Sequence, residues 1–566
     1  MHLYSNKSTK LLTKIEKEAK MSTNQRKDNK SRENGDQISR RDFLKFAGIG
    51  LSAGASLSMG INPQSLFAAE QLAKEQILKV ATLSGDIVLP MDPMFAYWEA
   101  PWLHFIYNGL LRMKPGDEGL DKLESDLATE YSLSDDHTVY TFKLRKGVKF
   151  HRGYGECTIE DLLFTFDRLK NDPQSTRKKE YENIDKLEAT DDYTLRVHLK
   201  KPNYYYIRTL MAYISSYVVS KKAILDLGEK FKYSPVGTGP FWVKEYKSKD
   251  RVVFRRHEEY FRGQPIIKQI DWLFMPNLSS RMMAMESGAI HMARAVRSGD
   301  LVKRLRSKGV ICDGYPGQGG WVHLNLFDDI FKDARVRQAL FYATDRKAIA
   351  EYYGPVAIPL WGYIPPNFEG AKEYPNRYLY NPEKAKQLLK EAGYPNGFTF
   401  STDSTQDSMR GDVIEILQNQ WKKVGVNMKL NVLEHAAYLH KVRKGAMPVM
   451  AQPGIKPDID SFLSTYFYGP SCYKEPTALL NLSCFGKAIP GADDLIEEAR
   501  VTFDREKRVA LYAKIQDKLM EAVPAIPVYN FIDHEARQPY IELGYDFKVV
   551  FNYFYRITEK TRILKS

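Results

Sequence analysis

The chain has 566 residues, 43% of them apolar and 27% charged, with a formal net charge of +13. That length exceeds what a single hydrophobic core fills, so two or more lobes are expected, and scattered Gly and Pro without a repeat exclude collagenous, solenoid and low-complexity classes. Residues 1–69 hold +6 of the charge, leaving +7 on all the rest, where acids and bases interleave as on a solvated face; no nucleic-acid partner is expected.

The first recognisable element is an address. Ser39-Arg40-Arg41-Asp42-Phe43-Leu44-Lys45 fits the twin-arginine export signal S-R-R-x-F-L-K at every specified position, with Arg40, Arg41, Phe43 and Leu44 carrying the match. An uncharged stretch from Phe46 to Ala69 follows. Its length would cross a bilayer core of about 30 Å, but Gly48, Gly50, Ser52, Gly54, Ser56, Ser58 and Gly60 leave it weakly apolar, and Leu66-Phe67-Ala68-Ala69 supplies a small-residue cleavage site. A cleaved signal read by the twin-arginine translocase is expected over a permanent anchor. No cysteine lies near the site to accept a lipid, so the expected product is soluble, not a lipoprotein, and periplasmic. Residues 1–20 add nothing to the signal, so Met1 and Met21 are both open as its first residue.

In the body, Tyr140, Phe142 and Leu144 alternate with Thr141, Lys143 and Arg145 and predict a half-buried strand; Tyr193, Leu195, Val197 and Leu199 repeat the pattern. Between them Thr158-Ile159-Glu160-Asp161 resembles a capping box opening a helix whose inward face is Leu162, Leu163, Phe166 and Leu169. Asn381 with Pro382 predicts a second helix, stopped by Gly393. A third, over about 413–424, places Ile414, Leu417, Trp421 and Val424 on one face; Gly425 ends it before a strand over 427–433. Strands and helices in alternation predict an α/β architecture. In an oxidising compartment Cys472 and Cys484, which close a short loop, are the expected disulfide, and Cys157 and Cys312 separate buried thiols.

Along nearly the whole mature chain these residues resemble the extracellular solute-binding proteins of family 5, the dipeptide, oligopeptide and nickel-binding components of ABC importers. The resemblance rests on Ser125-Asp126-Leu127-Ala128, the run from Ser134 to Phe150, Gly237-Thr238-Gly239-Pro240-Phe241, Asp333-Ala334-Arg335-Val336-Arg337, Ala343-Thr344-Asp345-Arg346, Asn381 to Ala385 leading to Ala392-Gly393-Tyr394-Pro395, Asp504 to Arg508, and Pro524 to Tyr529, in the family's order. It implies a two-lobed α/β periplasmic-binding-protein fold of type II, the large three-subdomain class, with two strands crossing between lobes. Lobe I would hold 70–318, with an extra subdomain near 121–235, and the returning 526–566; lobe II would hold 319–525. A small-molecule solute would bind in the cleft, and closure would present the protein, a monomer, to an inner-membrane permease and ATPase.

The family's peptide binders clamp a ligand ammonium with an aspartate whose counterpart, by counting, is Ile455, and the dipeptide binder grips the carboxylate with an arginine where Ser404 stands. A partner removed from a buried charge costs about 3–5 kcal/mol, so an ordinary dipeptide is disfavoured, and opine-like conjugates, oligosaccharides and metal chelates stay open beside peptides. Candidate ligand-wall residues are Tyr97, Trp98, Trp321, Trp361, Ser404, Gln406, Arg410, Gln452 and Asp458; ordinary packing weighs against the functional reading for the aromatics, and an ordinary surface pair or cap for Arg410 and Asp458. Beyond the export signal the chain lacks G-x-S-x-G, H-E-x-x-H, Walker and G-x-G-x-x-G motifs, so no catalytic residues, cofactor or metal site are assigned and an enzyme is the lesser alternative. A sensory protein docking on a receptor is the other.

Overall fold

A computed structural model of the chain describes residues 72–82, 90–95, 102–117, 122–212, 214–294, 298–406, 410–445, 447–456, 458–475, 480–548 and 554–565. The twin-arginine segment with Arg40, Arg41, Phe43 and Leu44, and the pair Tyr97 and Trp98, lie outside the described residues. Gln71–Ser566 forms one compact unit.

In chain order the framework begins with β1 (Ile77–Thr82). A four-stranded antiparallel sheet follows, made of β2 (Ala128–Leu133), β3 (Val139–Leu144), β4 (Ile184–Asp191) and β5 (Thr194–Leu199) in the order β2-β3-β5-β4. The period-two pattern decides its faces: Tyr140, Phe142, Leu195, Val197 and Leu199 are buried. Helix α1 (Ile159–Asn171) covers that apolar side with Leu162, Phe166 and Leu169, each worth about 1.5–3 kcal/mol on full burial. Leu163 sits only half-buried at the edge of the contact. The capping box is formed, the Thr158 amide donating to the Asp161 carboxylate at 3.1 Å.

Next come β6 (Phe241–Lys247), β7 (Arg251–Arg256), β8 (Gln269–Phe274), β9 (Met292–Ala293) and β10 (Ile311–Leu324). The second half of the chain adds β11 (Ala357–Pro359), α2 (Pro382–Glu391), β12 (Phe398–Thr405), α3 (Gly411–Lys422), β13 (Val426–Leu433), β14 (Val449–Gly454), α4 (Ile459–Tyr466), α5 (Ala492–Val501), α6 (Arg505–Ala522) and β15 (Ala525–Arg537). Asn381 caps α2, accepting from the Lys384 amide at 2.9 Å. Helix α3 starts and stops two residues ahead of the expected bounds; Gly425, at φ +89°, makes the turn into β13.

A nine-stranded sheet runs β14-β10-β15-β9-β1-β8-β7-β6, with β11 beside β15. Strands β10 and β15 lie antiparallel from Ile311 opposite Arg537 to His323 opposite Ala525. At one end β15 pairs with β9; at the other β10 pairs with β14. The core divides along the same line. One cluster joins Val80, Trp102, Phe105, Phe142, Phe166 and Trp272 to Phe554 and Ile563 near the chain's end. A second joins Trp321, Leu340, Trp421, Phe462, Ile515 and Tyr529. Two long strands therefore cross between two lobes. The crossing carries register shifts between Pro316 and Gly319 and between Gly320 and Trp321, the local breaks in the ladder that let a strand bend.

Candidate functional site

Strands β12 and β14 of the second lobe are tied side by side where the Thr402 hydroxyl donates to the Val449 carbonyl at 2.9 Å. Their C-terminal ends carry most of the candidates, the location at which open α/β sheets offer room to a ligand. Ser404 is buried and its hydroxyl has no partner among the described residues, while Gln406 is exposed. Arg410, just before α3, is half-buried, and its charge acts on the Tyr466 hydroxyl. Gln452 is buried opposite Trp321, its amide donating to the Pro453 carbonyl at 2.8 Å.

Asp458 is buried at the start of α4, where it accepts from the Ser461 amide at 2.8 Å and the Ser461 hydroxyl at 2.6 Å. Burial, reinforced by the neighbouring Asp460 carboxylate, pushes its acid up to about 7. Asp460 is itself held by Arg500 at 3.3 Å. Trp321 packs inside the second lobe against Tyr466, with ring centroids 5.5 Å apart, and gives its indole N–H to the Tyr363 carbonyl at 3.1 Å. Trp361 is half-buried beneath the Arg346 guanidinium, 4.5 Å from its ring centroid.

Two residues that the sequence alone does not single out stand among these. Lys456 lies beyond the end of β14, its ammonium 5.7 Å from the Tyr466 ring centroid. Asn530, on crossing strand β15, is fully buried with neither side-chain amide atom matched by a described group. A lysine beside Ile455 was visible at the place counted for the ammonium clamp; nothing in the linear order marks Asn530, whose position comes from strand register.

The accessory sheet of the first lobe also touches the second lobe. Tyr204 donates its backbone N–H to the Arg500 carbonyl at 2.9 Å, the His137 and Phe503 rings stack at 3.9 Å, and Tyr205 joins the second lobe's core. Asp458 acts electrostatically on the Tyr205 hydroxyl. Among the described residues no helix is long and apolar enough to cross a membrane, and no metal-binding group of His, Cys, Asp or Glu occurs. Cys472 and Cys484 are bonded to each other; Cys157 and Cys312 are free and buried.

Residues 122–472 match the family model of bacterial extracellular solute-binding proteins, family 5. Heme-binding protein A of Haemophilus influenzae is 30% identical over 479 residues, 78% of this chain and 85% of that protein. The dipeptide-binding protein of Escherichia coli K12 is 29% identical over 462 residues, 74% and 83% of the two chains. Among solved structures, the binding protein MoaA of A. tumefaciens R10 in complex with mannopinic acid superposes with a TM-score of 0.74 at 30% identity, covering 86% of this chain and 99% of that one. The periplasmic binding protein DppA of Helicobacter pylori in complex with the peptide STSA gives 0.72 at 25% identity, with coverage of 88% and 100%. With its two lobes, crossing strands and match over most of the chain, this protein belongs to the bacterial extracellular solute-binding proteins of family 5.

Proposed function

We propose that the chain is the substrate-binding component of an ABC importer, which captures a small solute between its lobes and delivers it to a permease and ATPase without altering it. The observation that carries this is the single sheet passing through both lobes on β10 and β15, with its register broken at Pro316–Gly319. A long ladder resists shear but bends at such breaks, so the lobes hinge about them. A cleft between hinged lobes takes in a ligand when open and removes most of its surface from water when closed.

The finer reading is a monomer exported by the twin-arginine translocase, cut after its signal and held in the periplasm without a lipid. Lobe I comprises 70–318 and 526–566, with the subdomain near 121–235, and lobe II 319–525. The wall draws on Tyr97, Trp98, Trp361, Ser404, Gln406, Arg410, Gln452 and Asp458, with Trp321 as a packing residue behind it. Its relatives include proteins named for dipeptide, glutathione and heme binding. The absence of an acid at Ile455 turns this site away from the free amino terminus of a peptide. The test is native mass spectrometry of the purified chain with candidate solutes: one intact solute bound and released unchanged is expected, and conversion of the solute would refute the binding role.

A further inference from the structure

The second lobe receives three rings from the accessory part of the first. The Tyr204 ring is met by guanidiniums of both lobes, that of Arg508 at 3.4 Å from its centroid and that of Arg208 at 4.3 Å. His137, in the turn between β2 and β3, lies flat on Phe503, the two planes 7° apart. Tyr205 goes deepest: it is 6% exposed, belongs to the second lobe's core, and stands 6.3 Å from Tyr512 of α6, centroid to centroid. None of these contacts is part of the crossing ladder, so they separate when the lobes hinge about it.

Tyr205 and Tyr512 both feel the charges of Asp458 and Asp460 at their hydroxyls. Asp458 is 4% exposed, and the groups that face it are committed elsewhere. On α4 itself Asp460 is a like charge, held by Arg500 of α5 at 3.3 Å. Arg508 of α6 pairs with Glu369 at 3.3 Å. Lys456, which feels the Asp458 charge, rests its ammonium over the Tyr466 ring. Among the described residues Asp458 has no ion-pair partner within 4 Å; it accepts only from Ser461. An acid without a cation, beside a second acid and under rings brought by the other lobe, is cheaper to keep neutral than charged.

Resting on the binding role above, we propose that closure of the accessory segment on the second lobe takes up a proton at Asp458, so that acid tightens the closed form and a rise in pH toward neutrality loosens it. With the rings in place the acid titrates near 7. Once Tyr205 withdraws, water reaches the carboxylate and the acid falls toward its ordinary value of 3.8. The proton enters from solvent as the lobes close and returns to it as they part. Between the two values only the closed form holds it, so the closed-to-open ratio drops by up to about tenfold for each pH unit gained and levels off above 7, where both forms are ionised.

The experiment follows the purified chain and its Asp458→Asn variant by small-angle scattering from about pH 5 to about pH 8. Asparagine keeps a capping side chain and mimics the neutral acid. The wild-type radius of gyration is expected to grow as pH rises toward 7, and the variant to stay compact throughout. A wild-type radius that is constant with pH, or a variant that expands as wild type does, overturns the proton link. If Asp458→Asn does not melt cooperatively, the wild-type series alone is the test. Native mass spectrometry of the same preparation, against a defined mixture of di- and tripeptides, sugar–amino-acid conjugates and neutral oligosaccharides, reads the binding role separately. Capture of a solute by a chain whose shape ignores pH overturns the link and leaves that role standing. A pH-dependent shape without capture supports the link and counts against the role.

Discussion

The Arg508 guanidinium lies 3.4 Å from the centroid of the Tyr204 ring, joining helix α6 of the second lobe to the segment that follows the accessory sheet of the first. Arg508 is fixed independently, donating to the Thr502 and Phe503 carbonyls at 3.1 and 3.0 Å. The ring is thereby tied to a fixed point on the second lobe.

Removing the ring loosens this connection at the edge of the second lobe's core. Such a contact contributes about 0.5–2 kcal/mol, so Tyr204→Ala shifts the open–closed balance about two- to thirtyfold. Small-angle scattering should show a larger radius of gyration and calorimetry a matching loss of solute affinity, while Tyr204→Phe behaves as wild type. Identical scattering from Tyr204→Ala and wild type would show that the contact plays no part in closure.

The Asp458 acid, raised by burial and by Asp460, gives the fold a pH dependence of defined sign. In the unfolded chain this group titrates near 3.8 and in the folded chain near 7. Between those values the folded state holds the extra proton, so this contribution to stability is largest at the acidic end and declines as pH rises through the window. Asp458→Asn keeps a capping side chain and removes the titration. In urea denaturation the variant should gain on wild type between pH 4 and pH 7.5, by an amount on the order of 1–4 kcal/mol. A stability difference that stays constant with pH would rule this out.

The Cys472–Cys484 bond closes a loop of sequence separation 12. Replacing both residues by alanine should lower unfolding free energy by about 3 kcal/mol, as expected for cross-linking a loop of this length in the unfolded state. The check is denaturant unfolding of the double variant beside wild type with and without reductant. Reduced wild type should fall to the level of the variant; if both match the oxidised protein, the bond carries no stability.

The twin-arginine export proposed above rests on Arg40 and Arg41. Arg40→Lys combined with Arg41→Lys should leave the uncleaved precursor in the cytoplasm, read by cell fractionation and intact mass. Normal periplasmic yield from that variant would remove the signal assignment.

Local elements were legible because their causes are local. The alternation at Tyr140, Phe142 and Leu144, the Thr158–Asp161 box and the Asn381 cap each act within a few residues, and each appears at its place. The bounds of α3 slipped by two residues, since the exact ends of a helix depend on what packs beside it. Family motifs spread along the chain supplied the two-lobed arrangement, which no single segment contains.

What the sequence by itself determined is the α/β class, the family and the core-facing residues, because hydrophobic periodicity and turn chemistry are written in consecutive positions. Only the tertiary structure decided that Asp458 is a helix cap in an acidic pair, that Trp321 packs inside the second lobe, and that Lys456 lies over the Tyr466 ring. Those relationships join residues on different strands and helices, and a cross-strand register or a burial that moves a pKa exists only after the chain has folded.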